Sequence, residues 1–161
     1  MDDPALAIAY KNAPRGVKTG RVLMIIGSIL FFIAAIGDAV AFILALVDPG
    51  SMGVDWGDLS TAVEYGSYPA LALFFLAAGI GGISFVLDKG KMKPFATLAA
   101  AVMLVVILVD TVLLIRHFIY GLAGGNTGQT WATLLIGILD VQLSGGIYVI
   151  GWFKCKDFVG D

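Results

Sequence analysis

Apolar residues occur along this chain in long unbroken runs, not at the alternating spacing of half-buried strands. The runs lie at about 22–47, 69–87, 95–119 and 130–153, separated by segments that contain proline, glycine or charged residues. The stretch from Phe95 to Ile115 corresponds to about 30 Å of α-helix, which is the thickness of the hydrocarbon core of a bilayer. The pattern therefore predicts an all-α integral membrane protein, a four-helix bundle of four transmembrane helices.

Local signals predict where these helices begin and end. The first run stops at Asp48-Pro49-Gly50. Thr61 and Glu64 have the spacing of a capping box, which predicts a short surface helix in the following loop. Pro69 is expected in the first turn of the second transmembrane helix, where its missing N–H costs no hydrogen bond. The basic segment 88–94 then predicts a tight antiparallel hairpin between the second and third helices.

Composition leaves little room for a separate soluble domain. The chain has 161 residues, of which 59% are hydrophobic and 14% charged, whereas soluble domains are about 45–50% apolar. We therefore expect a cytoplasmic segment at 1–21, a transmembrane domain at 22–153 and a cytoplasmic tail at 154–161. The first run is longer than the 7–15 residues of a signal-peptide core, so we expect it to be retained as a transmembrane helix.

Basic residues are strongly segregated. If four helices alternate in direction, every Lys and Arg except Arg116 falls on one side of the membrane. The positive-inside rule then places both termini in the cytoplasm and the acidic loop 48–68 outside. We expect the plasma membrane or a bacterial inner membrane as the location, the lipid bilayer as the surrounding partner, and no role for nucleic acid.

The two halves of the chain share a spacing. Arg21 precedes Asp38 by seventeen residues, and Lys93 precedes Asp110 by the same seventeen. The second and fourth runs also share a Gly-Gly-Ile triplet. These features fit a duplicated helical hairpin with both halves in one orientation, although chance similarity between Leu-, Val- and Gly-rich helices explains them equally well.

Small residues mark expected helix contacts. Spacings of four between small side chains let two helices approach closely, and in a multi-span protein this usually reflects packing within the bundle. The helix-packing candidates are Ala77, Ala78, Gly81, Gly82, Gly145 and Gly146.

Three aspartates fall inside the apolar runs, at a similar expected depth in the outer half of the membrane. Each costs about 2.5–3.5 kcal/mol to insert near a helix centre, so we expect their side chains to face the bundle interior or a wet cavity. The intramembrane polar candidates are Asp38, Asp110, Asp140, His117, Arg116 and Ser144. They fit a proton or cation pathway, or hydrogen-bonded contacts between helices that involve Ser144, Gln142, Thr111 or Tyr148.

The residue patterns of soluble enzymes do not occur in the sequence. There is no nucleophile with a base, no phosphate-binding or dinucleotide motif, and one cysteine, Cys155, so we expect no catalytic residues, metal or cofactor. Two hypotheses follow. The chain is either a structural or accessory subunit of a membrane assembly, as a homo-oligomer or with other membrane subunits, or a proton- or cation-coupled transporter or channel subunit that uses the aspartates.

Overall fold

The computed structural model describes residues 13–52, 54–87, 92–123 and 138–156, together with positions 131 and 135. The side chains at 60, 117, 120–122 and 139–140 lie outside this description. Most of the predicted cytoplasmic segment and most of the predicted tail also lie outside it, as do the basic turn 88–91, the glycine-rich segment 124–130 and part of the fourth predicted span.

The described chain is all-α, as the sequence predicts, with four helices packed together. Helix α1 comprises Arg15–Val47, α2 Leu59–Leu87 and α3 Lys93–Ala123. A six-residue π-helical turn, Ile138–Leu143, leads directly into the twelve-residue helix α4, Ser144–Cys155. Three helices are long and apolar enough to cross a membrane, namely α1, α2 from Thr61 and α3 as far as Arg116. The fourth helix is short by comparison.

Helix α2 begins about ten residues earlier than the sequence predicts. Asp58 caps it, because its Oδ2 accepts hydrogen bonds from the Thr61 backbone N at 3.1 Å and the Thr61 Oγ1 at 2.8 Å. The expected separate surface helix is therefore wrong, since Thr61 and Glu64 belong to α2 itself. The expected position of Pro69 is also wrong, because it lies inside the helix. A proline there removes one backbone hydrogen bond, and the long helix continues through it.

Helix α1 packs against both α2 and α4 and is antiparallel to each. Gly20, near the start of α1, lies against Cys155 at the end of α4, while Gly27 lies against Tyr148 about two turns earlier in α4. At the same end of α1, the Arg21 guanidinium donates a hydrogen bond to the Val86 carbonyl in the last turn of α2. Such a contact satisfies a carbonyl that the helix end leaves without an intrahelical partner.

Aromatic rings close the centre of the bundle. The Phe31 ring of α1 lies 5.3 Å from the Phe75 ring of α2 and 4.9 Å from the Tyr148 ring of α4, measured between centroids. Met24 and Met103 are fully buried beside this aromatic layer. Rings at these separations are in contact, so the described residues form a packed core in the middle of the bundle.

The contact between α1 and α4 brings two backbones together. A Cβ placed on Gly27 would lie 2.8 Å from the Tyr148 N and Cα atoms, and one placed on Gly151 would lie 2.6 Å from the Met24 N. Real Cβ atoms almost never come within 3.0 Å of another heavy atom. Only glycine therefore fits at these two positions, which act as the small residues of a close helix crossing.

Helix α3 is the least enclosed of the three long helices. Its first half contacts α2 and α4 through Phe95, which covers Gly81, and Met103, which covers Gly145. Its second half presents apolar side chains outward over most of its circumference. The exposed members are Val105, Leu108, Val109, Val112, Leu113, Ile115 and Ile119. In the part of the chain that the structure describes, this outer side of the second half of α3 is therefore open, and we refer to it as the open side of the bundle.

Candidate functional site

Asp38 is a buried carboxyl group on α1, with 8% of its surface exposed. It lies on the buried face of the helix together with Phe31, Ala34 and Ala45. Helix periodicity places these residues on one side. Asp38 thus faces the interior of the bundle, beyond the aromatic layer when counted from the start of α1.

Asp110 is half-buried and belongs to a polar cluster that joins α3 to the π-helical turn. We define the polar cluster as Asp110, Thr111 and Gln142. The Gln142 Nε2 lies 3.0 Å from the Asp110 Oδ2, 3.0 Å from the Thr111 Oγ1 and 3.1 Å from the Ile107 carbonyl oxygen. The Thr111 hydroxyl donates in turn to the Ile107 carbonyl at 2.7 Å. The three contacts of Gln142 connect residues more than thirty positions apart in the sequence.

The π-helical turn explains how Gln142 reaches this cluster. A π-helical turn is wider than an α-helical one, changes which side chains face a neighbouring helix, and is found frequently at functional sites. Here it spans Ile138–Leu143, so Gln142 lies within it, immediately before α4. Sequence reasoning named Gln142 only as one of several hydrogen-bonding partners, because hydropathy patterns do not distinguish a π-helical turn from an α-helix.

The remaining polar candidates have different surroundings. Asp140 lies in the π-helical turn, but its side chain is outside the described part of the structure, as is that of His117 in α3. Arg116 is exposed near the end of the apolar part of α3. Ser144, the first residue of α4, is buried with 1% of its surface exposed.

The contacts fix the relative depths of two of the acids. Gly27 lies opposite Tyr148, and Asp110 lies opposite Gln142. A rise of about 1.5 Å per residue, counted from the Gly27–Tyr148 contact, places Asp38 about 16.5 Å toward the end of the bundle away from the N-terminus of α1. The same count along α4 places Gln142, and with it Asp110, about 9 Å in that direction. Asp38 is therefore about 7.5 Å farther along the bundle axis, or about one and a half helical turns.

The helix-packing candidates divide between the interior and the surface. Ala78 is buried and Gly82 faces the centre, where a Cβ on Gly82 would overlap the Ser28 hydroxyl and the Tyr148 ring. Ala77 is exposed. Two more candidates are in helix contacts, since Gly81 lies against Phe95 and Gly145 lies against Met103 and Ile107. Gly146 is not in such a contact, because no heavy atom lies within 4 Å of its Cβ position.

Ser28 and Gly20 contribute to the interior but were not among the sequence candidates. The Ser28 Oγ and the Tyr148 hydroxyl are fully buried and have no hydrogen-bond partner within the described residues. Gly20 brings α1 against the end of α4, with its Cβ position 2.7 Å from the Lys154 Cβ. The available signal was the spacing of Gly20, Gly27 and Ser28, which places three small residues along one face of α1.

A small apolar groove lies beside the polar cluster on the open side of the bundle. We define the groove by its lining residues, Thr111, Leu114 and Ile115 of α3 with Ile138 and Gln142 of the π-helical turn, and its volume is about 280 Å³. The walls are almost entirely apolar, and the polar groups come from Thr111 and Gln142. Within the described ranges, His, Cys, Asp and Glu side chains do not come together in threes. The groove is thus suited to receive apolar side chains beside one hydrogen-bonding group.

No protein-family model, curated protein sequence or solved structure matches the chain. The class that the fold defines is an all-α bundle with three helices long and apolar enough for a multi-span membrane protein. Its most distinctive local feature is the polar cluster, which lies at the edge of the bundle beside the groove.

Proposed function

We propose that this chain is a small four-span integral membrane protein that serves, without enzymatic activity, as a structural or accessory subunit of a membrane assembly. In this proposal both termini are cytoplasmic, and the membrane is a plasma membrane or a bacterial inner membrane. The partners are copies of the chain or other membrane subunits. The observation that carries the proposal is the polar cluster on the open side of α3.

The position of the polar cluster favours a neighbour over lipid. Asp110 follows six apolar residues, 104–109, and Thr111 precedes four more, 112–115, so the cluster lies within the hydrocarbon if α3 crosses a membrane. Polar groups that face lipid cost several kcal/mol unless other groups satisfy them. Asp110 and Gln142 are half-buried and Thr111 is exposed. A second membrane helix at this place would remove that cost.

The packed centre of the bundle also supports an assembly role over conduction through one chain. Phe31, Phe75 and Tyr148 fill the interior between the cytoplasmic end proposed here and the level of Asp38. A path for protons or cations through a single copy would have to pass this aromatic layer. Small four-helix bundles enclose little space, so a pore would require several copies.

Transport is the alternative function, and the burial of Asp38 favours it. A carboxyl group that is 8% exposed inside an apolar bundle is a functional candidate in a membrane protein, because such groups commonly mark ion pathways. In that alternative Asp38, Asp110 and Asp140 form a proton or cation pathway within an oligomer.

The first experiment measures the size of the particle that contains the protein. The full-length chain, tagged and produced at its native level, is extracted from its host membranes in polymer nanodiscs and sized by mass photometry. We expect a particle larger than one chain, together with co-purifying subunits or further copies. A particle that contains a single copy and no other subunit would refute the assembly role.

The second experiment separates assembly from transport. Proton and cation flux is measured in proteoliposomes for the wild type and for a variant in which Asp38, Asp110 and Asp140 are all changed to Asn, with thermal stability recorded for both. Because Asn can still form hydrogen bonds, we expect similar stability and no flux in either protein. Flux that is present in the wild type and lost in an equally stable variant would favour the transport alternative.

A further inference from the structure

We infer that the groove beside the polar cluster binds a transmembrane helix of a different subunit, one that presents a hydrogen-bond donor or a cationic side chain at the depth of Asp110. This inference rests on the proposed function, since it assigns the surface and the chemistry of the partner within the assembly.

Within the cluster, the available donors already have acceptors. The Gln142 Nε2 carries two hydrogens and contacts three acceptors, and the Thr111 hydroxyl donates to the Ile107 carbonyl. No donor in the described part of the chain reaches the Asp110 Oδ1 or the Gln142 Oε1. Among the described residues, the cluster therefore presents acceptor oxygens without matching donors.

This excess of acceptors indicates the chemistry of the occupant. A partner helix with Arg, Lys or another donor would satisfy the Asp110 Oδ1 and the Gln142 Oε1 at once. A second copy would bring the same acceptor oxygens to the contact, and even a protonated carboxyl group adds only one donor per copy. Charge and hydrogen-bond complementarity thus favour a different, donor-bearing helix over a symmetric pair.

The groove has room for one or two apolar side chains of a membrane helix that lies against it. Its volume is about 280 Å³, whereas an apolar cavity of about 150 Å³ accommodates benzene. Leu114, Ile115 and Ile138 supply apolar walls, and the exposed Val112 and Leu113 continue the apolar surface along α3. A helix lying here would bury apolar side chains and place one polar side chain against the cluster, as polar contacts in membrane bundles do.

The test uses synthetic transmembrane peptides as defined probes. One peptide is rich in Leu and Ala and carries a single Arg six residues inside its outer end, which matches the spacing of Asp110 from Arg116. A second peptide carries the Arg six residues from its other end, so that the Arg lies at the same depth when the peptide inserts in the opposite direction. A third peptide has Leu in place of Arg. Binding to the full-length protein, fused to a fluorophore at its C-terminus, is measured by energy transfer in phosphatidylcholine vesicles.

We expect the Arg peptide with the matching orientation to bind wild-type protein about fivefold to thirtyfold more tightly than the Leu peptide, the range of interhelical polar contacts in model membrane helices. Asp110→Asn and Gln142→Leu should each reduce this preference. Asp38→Asn, which changes a buried acid outside the groove, is the matched control and should keep it. Circular dichroism and detergent particle size confirm that each variant is folded.

Three results would overturn the inference. They are equal binding of the Arg and Leu peptides to the wild type, a preference that Asp110→Asn leaves intact, and energy transfer between two differently labelled copies that Asp110→Asn abolishes. The last result would assign the groove to a second copy of this chain. In the first two cases, a multi-subunit particle from host membranes would still support the assembly role, so failure of the inference is distinguishable from failure of the proposed function.

Discussion

Replacement of Gly27 by Ala tests the close contact between α1 and α4. The added Cβ would lie 2.8 Å from the Tyr148 N and Cα atoms, and ordinary contacts begin at about 3.4 Å. The two helices would therefore have to separate by about 0.6 Å, because backbone atoms cannot rotate away as a side chain can. Overpacking of this kind typically costs about 1–3 kcal/mol.

Gly37→Ala is the matched control in the same helix. Gly37 is exposed, and its Cβ position has no heavy atom within 4 Å. Both substitutions gain up to about 1 kcal/mol of helix propensity, so this contribution cancels when the two variants are compared. The difference in unfolding free energy between them should equal the overpacking term, about 1–3 kcal/mol.

The assay is unfolding by SDS in mixed micelles, followed by tryptophan fluorescence for wild type, Gly27→Ala and Gly37→Ala. We expect Gly37→Ala to be at least as stable as the wild type and Gly27→Ala to unfold at a lower SDS fraction. If the two variants differed by less than about 0.5 kcal/mol, the size expected for an ordinary surface change, the tight α1–α4 crossing would be incorrect.

Further predictions concern the buried interior. Tyr148→Phe removes a buried hydroxyl that has no hydrogen-bond partner within the described residues. In SDS unfolding, the variant should be as stable as the wild type or up to about 2 kcal/mol more stable. A clear loss of stability would show that the hydroxyl has a partner. Gly82→Ala places a Cβ 2.6 Å from the Tyr148 ring and should lower the unfolding free energy by about 1–3 kcal/mol. The control Gly66→Ala has open space around its Cβ position and should not lower it. Equal effects of the two changes would contradict the contact between Gly82 and Tyr148. Cys155 is fully buried, so maleimide should label it slowly in mild detergent and rapidly in SDS, and rapid labelling under both conditions would contradict its burial.

The amino-acid sequence by itself determined that the protein is all-α, with helices apolar enough to cross a membrane. This follows from local properties, namely the length of each apolar run and the rise of a helix per residue. The inward orientation of Asp38 could be predicted as well. Helical periodicity places it on the same face as Phe31 and Ala34, and that face is buried.

The beginning of α2 shows where local signals mislead. Thr61, Glu64 and Pro69 each have a familiar meaning near a helix end, yet all three lie inside one continuous helix. The decisive residue is Asp58, whose carboxylate caps the helix through Thr61. Several side chains in this segment could serve as caps, and only the folded backbone selects among them.

The tertiary structure alone decided which residues meet between helices. Gly27 contacts Tyr148 and Asp110 contacts Gln142 because of the register between antiparallel helices and the π-helical turn before α4. No periodicity within one helix encodes either contact, since each depends on the packing of side chains from segments far apart in the sequence. The sequence indicated that the acids are buried. Because their neighbours come from other helices, only the fold showed that Asp110 lies beside the groove and Asp38 in the interior.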